Sequence, residues 1–209
     1  MSNYTYEAKE TDRKLETYEW DNVWWEQTER VNADRVLYIG DSISCGIRRK
    51  ATEVSQNTLL FDGFGSSKAL DNPYLLDSIA IFAKQQGSRR AVLFNSGLHG
   101  WHLDDETEYA TYYETALCFL IEKFPNTPII PVLTTHVIDE AREARVKARN
   151  AVVLRLAEKY GLPVFDLYAL SLAYADKITD GVHFAPEAYV AFGKEMVAFV
   201  SAIIGDATK

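Results

Sequence analysis

A serine, an aspartate and a histidine stand in this sequence where their side chains could act as one chemical unit. Ser42 lies in the stretch GDSIS, directly after an apolar run, and Asp180 precedes His183 by three residues. A serine nucleophile needs a base to take its proton, and the base needs a group that fixes its tautomer. An aspartate bonded to Nδ1–H leaves Nε2 of the imidazole free to act as that base. The three residues together predict nucleophilic catalysis at Ser42.

Each of these signals also has an ordinary structural interpretation. Serine is a favoured helix N-cap, and an aspartate beside a histidine is a common surface turn. A zinc site is the other chemical alternative, and its candidate ligands are His99, His102, Asp180 and His183. That site would leave the GDSIS stretch without a role. The sequence therefore favours serine chemistry and predicts no metal and no cofactor.

Two motifs carry a resemblance to a known family. The stretch GDSIS at 40–44 resembles the first block of the SGNH (GDSL) hydrolases, and DGVH at 180–183 resembles their last block, D-x-x-H. The G-x-S-x-G motif of ordinary α/β-hydrolases is not found. The resemblance covers about residues 34 to 204. It implies Ser42 as nucleophile, with His183 as base and Asp180 as the acid that orients it.

The resemblance also implies an oxyanion hole made from the Ser42 amide, a glycine amide and an asparagine side chain. The glycine block corresponds to DGFGSS after the second apolar run, where Gly65 is the candidate and one register places Ser67 instead. The asparagine block reads GLHG, with His99 at the asparagine position. A neutral imidazole can donate one hydrogen bond, so His99 can fill the role. Asn95 lies nearby and could compensate.

The resemblance implies an ester hydrolase, and its histidine variant resembles members regarded as carbohydrate esterases. The predicted substrate is a small acylated sugar or oligosaccharide, most simply an acetyl ester. A lipid or thioester hydrolase and an inactive member that only binds carbohydrate are the alternatives. Residues expected to contact substrate are Asp41, Ser67, Asn95, Trp101 and His136.

Apolar runs and amphipathic stretches alternate along the chain and predict the elements that position these residues. Continuous apolar runs suit parallel strands buried on both faces, and they fall at 36–39, 59–61, 91–94, 129–133 and 164–167. Helical spacing and end signals predict helices from 104 or 105 to 124, from 140 to 160 and from 186 to about 204. We expect a three-layer α/β/α sandwich with a five-stranded parallel sheet, the flavodoxin-like SGNH fold. Its site would lie at the carboxyl ends of the strands.

Two segments receive structural interpretations. Residues 1–30 are predicted to be an aromatic and charged extension to a hydrolase domain at 31–209, with Trp24 and Trp25 packing against that domain. The charges of the predicted helix at 140–160 are interpreted as a solvated face. In that helix Arg142, Arg145, Lys147 and Arg149 are interleaved with Glu140 and Glu143.

The composition excludes several classes of protein. The 209 residues carry 22 Lys plus Arg against 30 Asp plus Glu, for a net charge of −8, which argues against a nucleic-acid partner. No uninterrupted apolar run approaches the roughly 18 residues of a membrane span, and the first residues show no signal-peptide pattern. Two cysteines make no disulfide framework. We expect a cytoplasmic protein with a small-molecule ester substrate and no membrane partner, and homo-oligomers remain open.

Overall fold

A five-stranded sheet lies at the centre of the structure, a computed structural model that describes residues 18–85 and 87–206. The strands are β1 (Asp21–Trp24), β2 (Asp34–Gly40), β3 (Leu59–Ser66), β4 (Ala91–Phe94) and β5 (Ile129–Pro131). Their order across the sheet is β1-β3-β2-β4-β5. Strands β2 to β5 are parallel, whereas β1 pairs antiparallel with β3.

Six helices cover the sheet in the described part of the chain. They are α1 (Ser42–Val54), α2 (Leu75–Ala83), α3 (Glu106–Lys123), α4 (Glu140–Tyr160), α5 (Leu167–Leu172) and α6 (Pro186–Asp206). Side chains alternate between the faces of β2: Val36 and Tyr38 pack with α1 and α6, and Leu37 and Ile39 pack with α2 and α3. The two cores give the three-layer α/β/α fold that the sequence predicts.

The sheet differs from the prediction at both edges. The run at 164–167 forms only a single parallel bridge, between Val132 and Phe165, because Asp166 caps α5 and the chain turns helical there. The prediction of a fully parallel sheet with this run as its fifth strand is therefore wrong. The fifth strand is β1, which comes from the aromatic N-terminal segment. Trp25, directly after β1, stacks on Phe82 at 4.7 Å between ring centroids. Residues 1–17 of the predicted extension lie outside the described residues.

Helix α6 is long and apolar enough to cross a membrane by length and composition, over Pro186–Gly205. Charged residues interrupt it at Glu187, Lys194 and Glu195. One side of the helix lies in the core, with a buried residue at every fourth position: Ala188, Phe192, Met196, Val200 and Ile204. That spacing is typical of a core helix that packs along one face.

Helices α1 and α6 approach each other closely through two glycines. A Cβ at Gly46 would lie 2.5 Å from the Tyr189 ring, and a Cβ at Gly193 would lie 2.9 Å from the backbone nitrogen of Ala51. Larger residues at either position would push the helices apart. Because Ser42 begins α1 and His183 lies just before α6, this helix contact brings the Ser42 and His183 side chains close to each other.

We expect Gly193→Ala to destabilise the fold by about 1–3 kcal/mol, because the added methyl group meets backbone that cannot move aside cheaply. Gly205→Ala, in the same helix, is the matched control, since a Cβ there meets nothing within 4 Å. Urea denaturation followed by circular dichroism measures both variants. Equal midpoints for the two would show that the helix contact tolerates the methyl group.

Candidate active site

Ser42, His183 and Asp180 form one hydrogen-bonded chain. Ser42 is the first residue of α1, directly beyond the carboxyl end of β2. Its Oγ lies 2.7 Å from His183 Nε2, and His183 Nδ1 lies 2.7 Å from Asp180 Oδ2. The chemically consistent assignment has Nδ1–H donating to the carboxylate and the serine hydroxyl donating to Nε2. The geometry is that of a nucleophile, a base and an orienting acid.

The base and its carboxylate share a short hairpin before α6. Asp180 Oδ1 accepts the N–H of His183 at 2.8 Å and that of Val182 at 3.1 Å. The turn requires φ = +92° at residue 181, where Gly181 carries no strain. The hairpin closes where Thr179 N–H donates to His183 O at 2.8 Å. The hydrogen bonds from the His183 backbone and imidazole lower the pKa of Asp180 to about 2, so the carboxylate stays ionised.

Asp41 lies behind Ser42 rather than in contact with open space. It is 3% exposed and caps α1, with Oδ1 accepting the Ile43 N–H at 2.9 Å. Burial raises the pKa of Asp41, and the charge of the nearby His99 imidazole opposes the rise. Asp41 therefore holds the start of the serine helix, and a direct substrate contact, as the sequence predicts, does not fit its burial.

An open cleft of about 300 Å³ lies beside the Ser42 hydroxyl. Its lining residues are Ser42, Leu98, His99, Trp101, Arg142, Asp180, Val182 and His183. The structure thus brings together the predicted triad, His99 and Trp101. Trp20 meets the His99 ring edge to face, at 6.0 Å between centroids. Sequence reasoning missed Trp20 and Arg142, since neither stands near a motif.

A buried arginine on α4 holds the loop that carries His99 by hydrogen bonds to its backbone. Arg149 is 2% exposed. Its guanidinium donates to four carbonyl oxygens of this loop, at Gly97 (3.0 Å), His99 (2.8 Å), Gly100 (2.7 Å) and Leu103 (3.2 Å). The interpretation of α4 as a solvated face is therefore wrong at this position. A sequence signal exists, because Arg149 follows Val146 by three residues and precedes Leu156 by seven, on the apolar side of the helix.

The two predicted backbone oxyanion donors both face the N-terminal segment, at Trp20 just before β1 and at Asn22 within β1. Ser67 N–H donates to the Trp20 carbonyl at 3.1 Å, and Ser67 Oγ accepts the Trp20 N–H at 2.9 Å. Hydrogen-bonding direction alternates along a strand, so the N–H of Gly65 points to the same side, where Asn22 is its partner in the register. The structure therefore offers neither Gly65 nor Ser67 to an oxyanion, because the added edge strand takes both amides. Ser67 is also fully buried, which excludes the predicted substrate contact.

Asn95 links two strand ends and does not face the cleft. Its Nδ2 donates to Val132 O at 2.9 Å and to Thr134 Oγ1 at 3.1 Å, which uses both amide protons. The side chain borders a narrow crevice together with His99. With its donors occupied, Asn95 does not replace an oxyanion donor in this arrangement.

His136 lies in a polar cluster away from the residues that line the cleft. Its Nδ1 is 3.1 Å from Glu143 Oε2, and Glu143 also accepts the Tyr168 hydroxyl at 2.5 Å and the Val137 N–H at 3.1 Å. Burial raises the pKa of Glu143, but these hydrogen bonds outweigh burial and hold the pKa below its usual value. The cluster stabilises the loop after β5. His136 is not among the residues that line the cleft beside Ser42, and its contact with substrate stays a prediction.

The alternative zinc site is not assembled. His102 Nε2 bonds to Asp71 Oδ2 at 3.0 Å, so it is engaged outside the cleft that His99 and His183 line. Within residues 18–85 and 87–206, no three His, Cys, Asp or Glu side chains stand close enough to hold a metal ion.

No protein-family model matches the sequence, and no curated protein matches it. Solved structures do match. The acetyl xylan esterase AlAXEase superposes with a TM-score of 0.60 at 18% identity, over 79% of this chain and 99% of its own. Est24, a carbohydrate acetylesterase from Sinorhizobium meliloti, gives 0.63 at 14% identity, over 81% of this chain and 99% of its own.

A third match is a member of the lipolytic G-D-S-L family from Veillonella parvula DSM 2008, with a TM-score of 0.63 at 17% identity. It covers 81% of this chain and 97% of its own. These identities are low, so the likeness is one of fold. Together with the GDSIS and DGVH motifs, the matches show that this chain has the SGNH (GDSL) hydrolase fold.

Proposed function

We propose that the protein is a serine esterase that hydrolyses small O-acyl esters, most simply acetyl esters of carbohydrates, through an acyl-enzyme. The observation that carries the proposal is the unbroken chain from Ser42 through His183 to Asp180 at the edge of an open cleft. Solved structures with the same fold include an acetyl xylan esterase and a carbohydrate acetylesterase. The activities of those two proteins support ester hydrolysis as the chemistry of this site.

The reaction follows from the distances in the triad. Ser42 Oγ attacks the ester carbonyl while His183 Nε2 takes the hydroxyl proton, and Asp180 stabilises the imidazolium. The tetrahedral intermediate collapses as His183 returns that proton to the leaving alkoxide, which leaves the acyl group on Ser42. Water, deprotonated by the same imidazole, then attacks the acyl carbon. The second intermediate releases the carboxylic acid and restores the serine hydroxyl.

The negative charge on the carbonyl oxygen needs hydrogen-bond donors at the cleft. The Ser42 amide stands at the first turn of α1, where helix N–H groups favour negative charge. His99 lines the same cleft, and its imidazole can donate one hydrogen bond. We assign these two groups to the oxyanion, since β1 occupies the amides of Gly65 and Ser67.

The cleft lining combines polar groups with apolar faces, which suits a short acyl group on a polar alcohol. Ser42, His99, Arg142, Asp180 and His183 bring polar or charged groups, and Leu98, Trp101 and Val182 bring apolar surface. Trp101 supplies a flat face of the kind on which a sugar ring can stack. A lipid or thioester hydrolase would need a longer apolar channel beside Ser42. An inactive carbohydrate-binding protein would have no use for the aligned base.

A hydrolysis panel tests the function. We expect turnover of aryl acetate and acetylated oligosaccharides, slower turnover of aryl octanoate, and near-total loss for Ser42→Ala with unchanged circular dichroism. The loss is expected because, among the residues that the structure describes, Ser42 supplies the hydroxyl that is bonded to His183 Nε2. Labelling of wild type, but not of Ser42→Ala, by a phosphonofluoridate identifies the nucleophile. Octanoate preference would contradict the carbohydrate assignment, and an unlabelled, inactive wild type would contradict the esterase.

Substitution of His99 tests the oxyanion assignment. We expect His99→Ala to lower kcat by about 10²–10³, since removal of one oxyanion donor typically has that effect. His99→Asn should recover much of the rate, because the amide also donates. The control is His102→Ala, whose imidazole is bonded to Asp71 instead. Equal rates for wild type and both His99 variants would remove His99 from the mechanism.

The acid of the triad gives a pH prediction. Because hydrogen bonds depress the pKa of Asp180 to about 2, its contribution to stability is present above the usual carboxyl pKa and is lost as pH falls towards 2. Above pH 4 the carboxylate is ionised, so Asp180→Asn should lower kcat/KM at every such pH, by about 10²–10⁴. Asp176→Asn removes a neighbouring exposed charge and is the control. A variant that matched wild type at pH 5–8 would show that His183 needs no orienting carboxylate.

A further inference from the structure

We propose that the cleft contains an anion subsite, in which Arg142 binds a carboxylate or similar anionic group on the ester substrate. The proposal rests on the proposed esterase function and narrows its substrate class to small esters that carry a negative charge. Arg142 lines the same cleft as Ser42 and His183. Its side chain is exposed and has access to whatever occupies that cleft.

Arg142 lacks the partners that its neighbours on α4 possess. Arg145 pairs with Asp104, and Lys147 lies 3.5 Å from Glu143 Oε1. Among the residues that the structure describes, no carboxylate lies within salt-bridge distance of the Arg142 guanidinium. The carboxylate of the cleft, Asp180, is bonded to His183. The guanidinium donors of Arg142 therefore remain available to a ligand.

The position of Arg142 is not explained by helix stability. Arg142 lies in the first turn of α4, where Asp139 is the N-cap. The positive end of the helix dipole disfavours a cation there. The acidic residues of this turn, Glu140 and Glu143, already complement the dipole. An unpaired arginine at this place adds charge to the cleft rather than stability to the helix.

The Arg142 guanidinium packs over the Trp101 ring. Three arginines surround its ring, with Arg142, Arg145 and Arg149 at 5.6, 5.4 and 5.0 Å from the centroid. Arg145 donates to the Trp101 carbonyl at 2.5 Å, and Arg149 is buried on loop carbonyls. An arginine against an aromatic face keeps its in-plane N–H groups free, and these match a carboxylate in a bidentate geometry.

The other charges near the cleft limit the ligand to a small anion. The chain has a net charge of −8, so a polyanion would be repelled by most of the surface. Asp180 brings a negative charge to the cleft, and its carboxylate is bonded to the His183 imidazole. The other imidazole in the lining is that of His99. Among the described residues that line the cleft, Arg142 alone carries a permanent positive charge, and no carboxylate pairs with it. A single carboxylate on a ring-bearing ester fits this balance.

The test compares matched charged and neutral esters. One pair carries the charge on the leaving group, para-acetoxybenzoate against para-acetoxybenzamide. The other carries it on the acyl group, the para-nitrophenyl monoester of glutarate against para-nitrophenyl butyrate. For at least one pair we expect Arg142→Gln to lower the anionic-to-neutral ratio of kcat/KM about tenfold, mainly through KM. The pair that responds identifies the part of the substrate that Arg142 binds.

Arg155→Gln is the matched control, because it removes the same charge from an exposed position on α4 outside the cleft. Its ratios should equal those of wild type. If Arg142→Gln leaves both ratios unchanged, or if Arg155→Gln lowers them equally, the subsite is excluded.

A binding measurement separates this proposal from the proposed function. Calorimetric titration with para-acetamidobenzoate, an amide analogue, needs no turnover, and we expect Arg142→Gln to weaken binding about tenfold relative to Arg155→Gln. Weaker binding in a protein that hydrolyses no ester would support the subsite and overturn the esterase. Equal affinity of the two variants, together with unchanged kcat/KM ratios for both ester pairs in a protein that does hydrolyse esters, would overturn the subsite alone.

Discussion

The close approach of α1 and α6 determines the geometry of the whole site. Ser42 and His183 are 141 residues apart in the chain, yet Ser42 begins α1 and His183 lies three residues before the start of α6. The missing side chains at Gly46 and Gly193 let the two helices pack against each other, and a face of the sheet supports both. The distance between the nucleophile and its base is therefore set by hydrophobic packing. The local hydrogen bonds of the hairpin then set only the orientation of the imidazole.

The sequence identified candidate catalytic residues where they lie at the end of a helix or a strand. Ser42, Asp180 and His183 all flank a helix or strand end, where local signals such as GDSIS and DGVH are visible. The helix at 140–160 and the strand at 91–94 agree with the observed bounds, because long periodic or continuous apolar runs are strong local signals. That Ser42, Asp180 and His183 come together in space could be expected from the parallel topology, because the carboxyl ends of parallel strands share one edge of the sheet.

Features that depend on distant pairing could not be predicted. The availability of the Gly65 and Ser67 amides depends on whether another strand covers β3, and the four residues of β1 carry no pattern that specifies this partner. The burial of Arg149 has a similar cause. Residue type suggests solvent, but the loop at 97–103 supplies four carbonyl acceptors that make burial favourable. In both cases the deciding partner lies far away in the sequence.

Strand β1 also has a consequence for the solution behaviour of the chain. Strand β3 is the longest strand, and all eight of its residues are buried. Without β1 it would present an open row of backbone donors and acceptors at the border of the sheet, which is a template for pairing between molecules. The short, exposed β1 closes that border with four residues, two of which, Asp21 and Asn22, are polar. A shortened chain that began at residue 31 would keep the triad yet lose this cover, and its colloidal stability would suffer before its chemistry did.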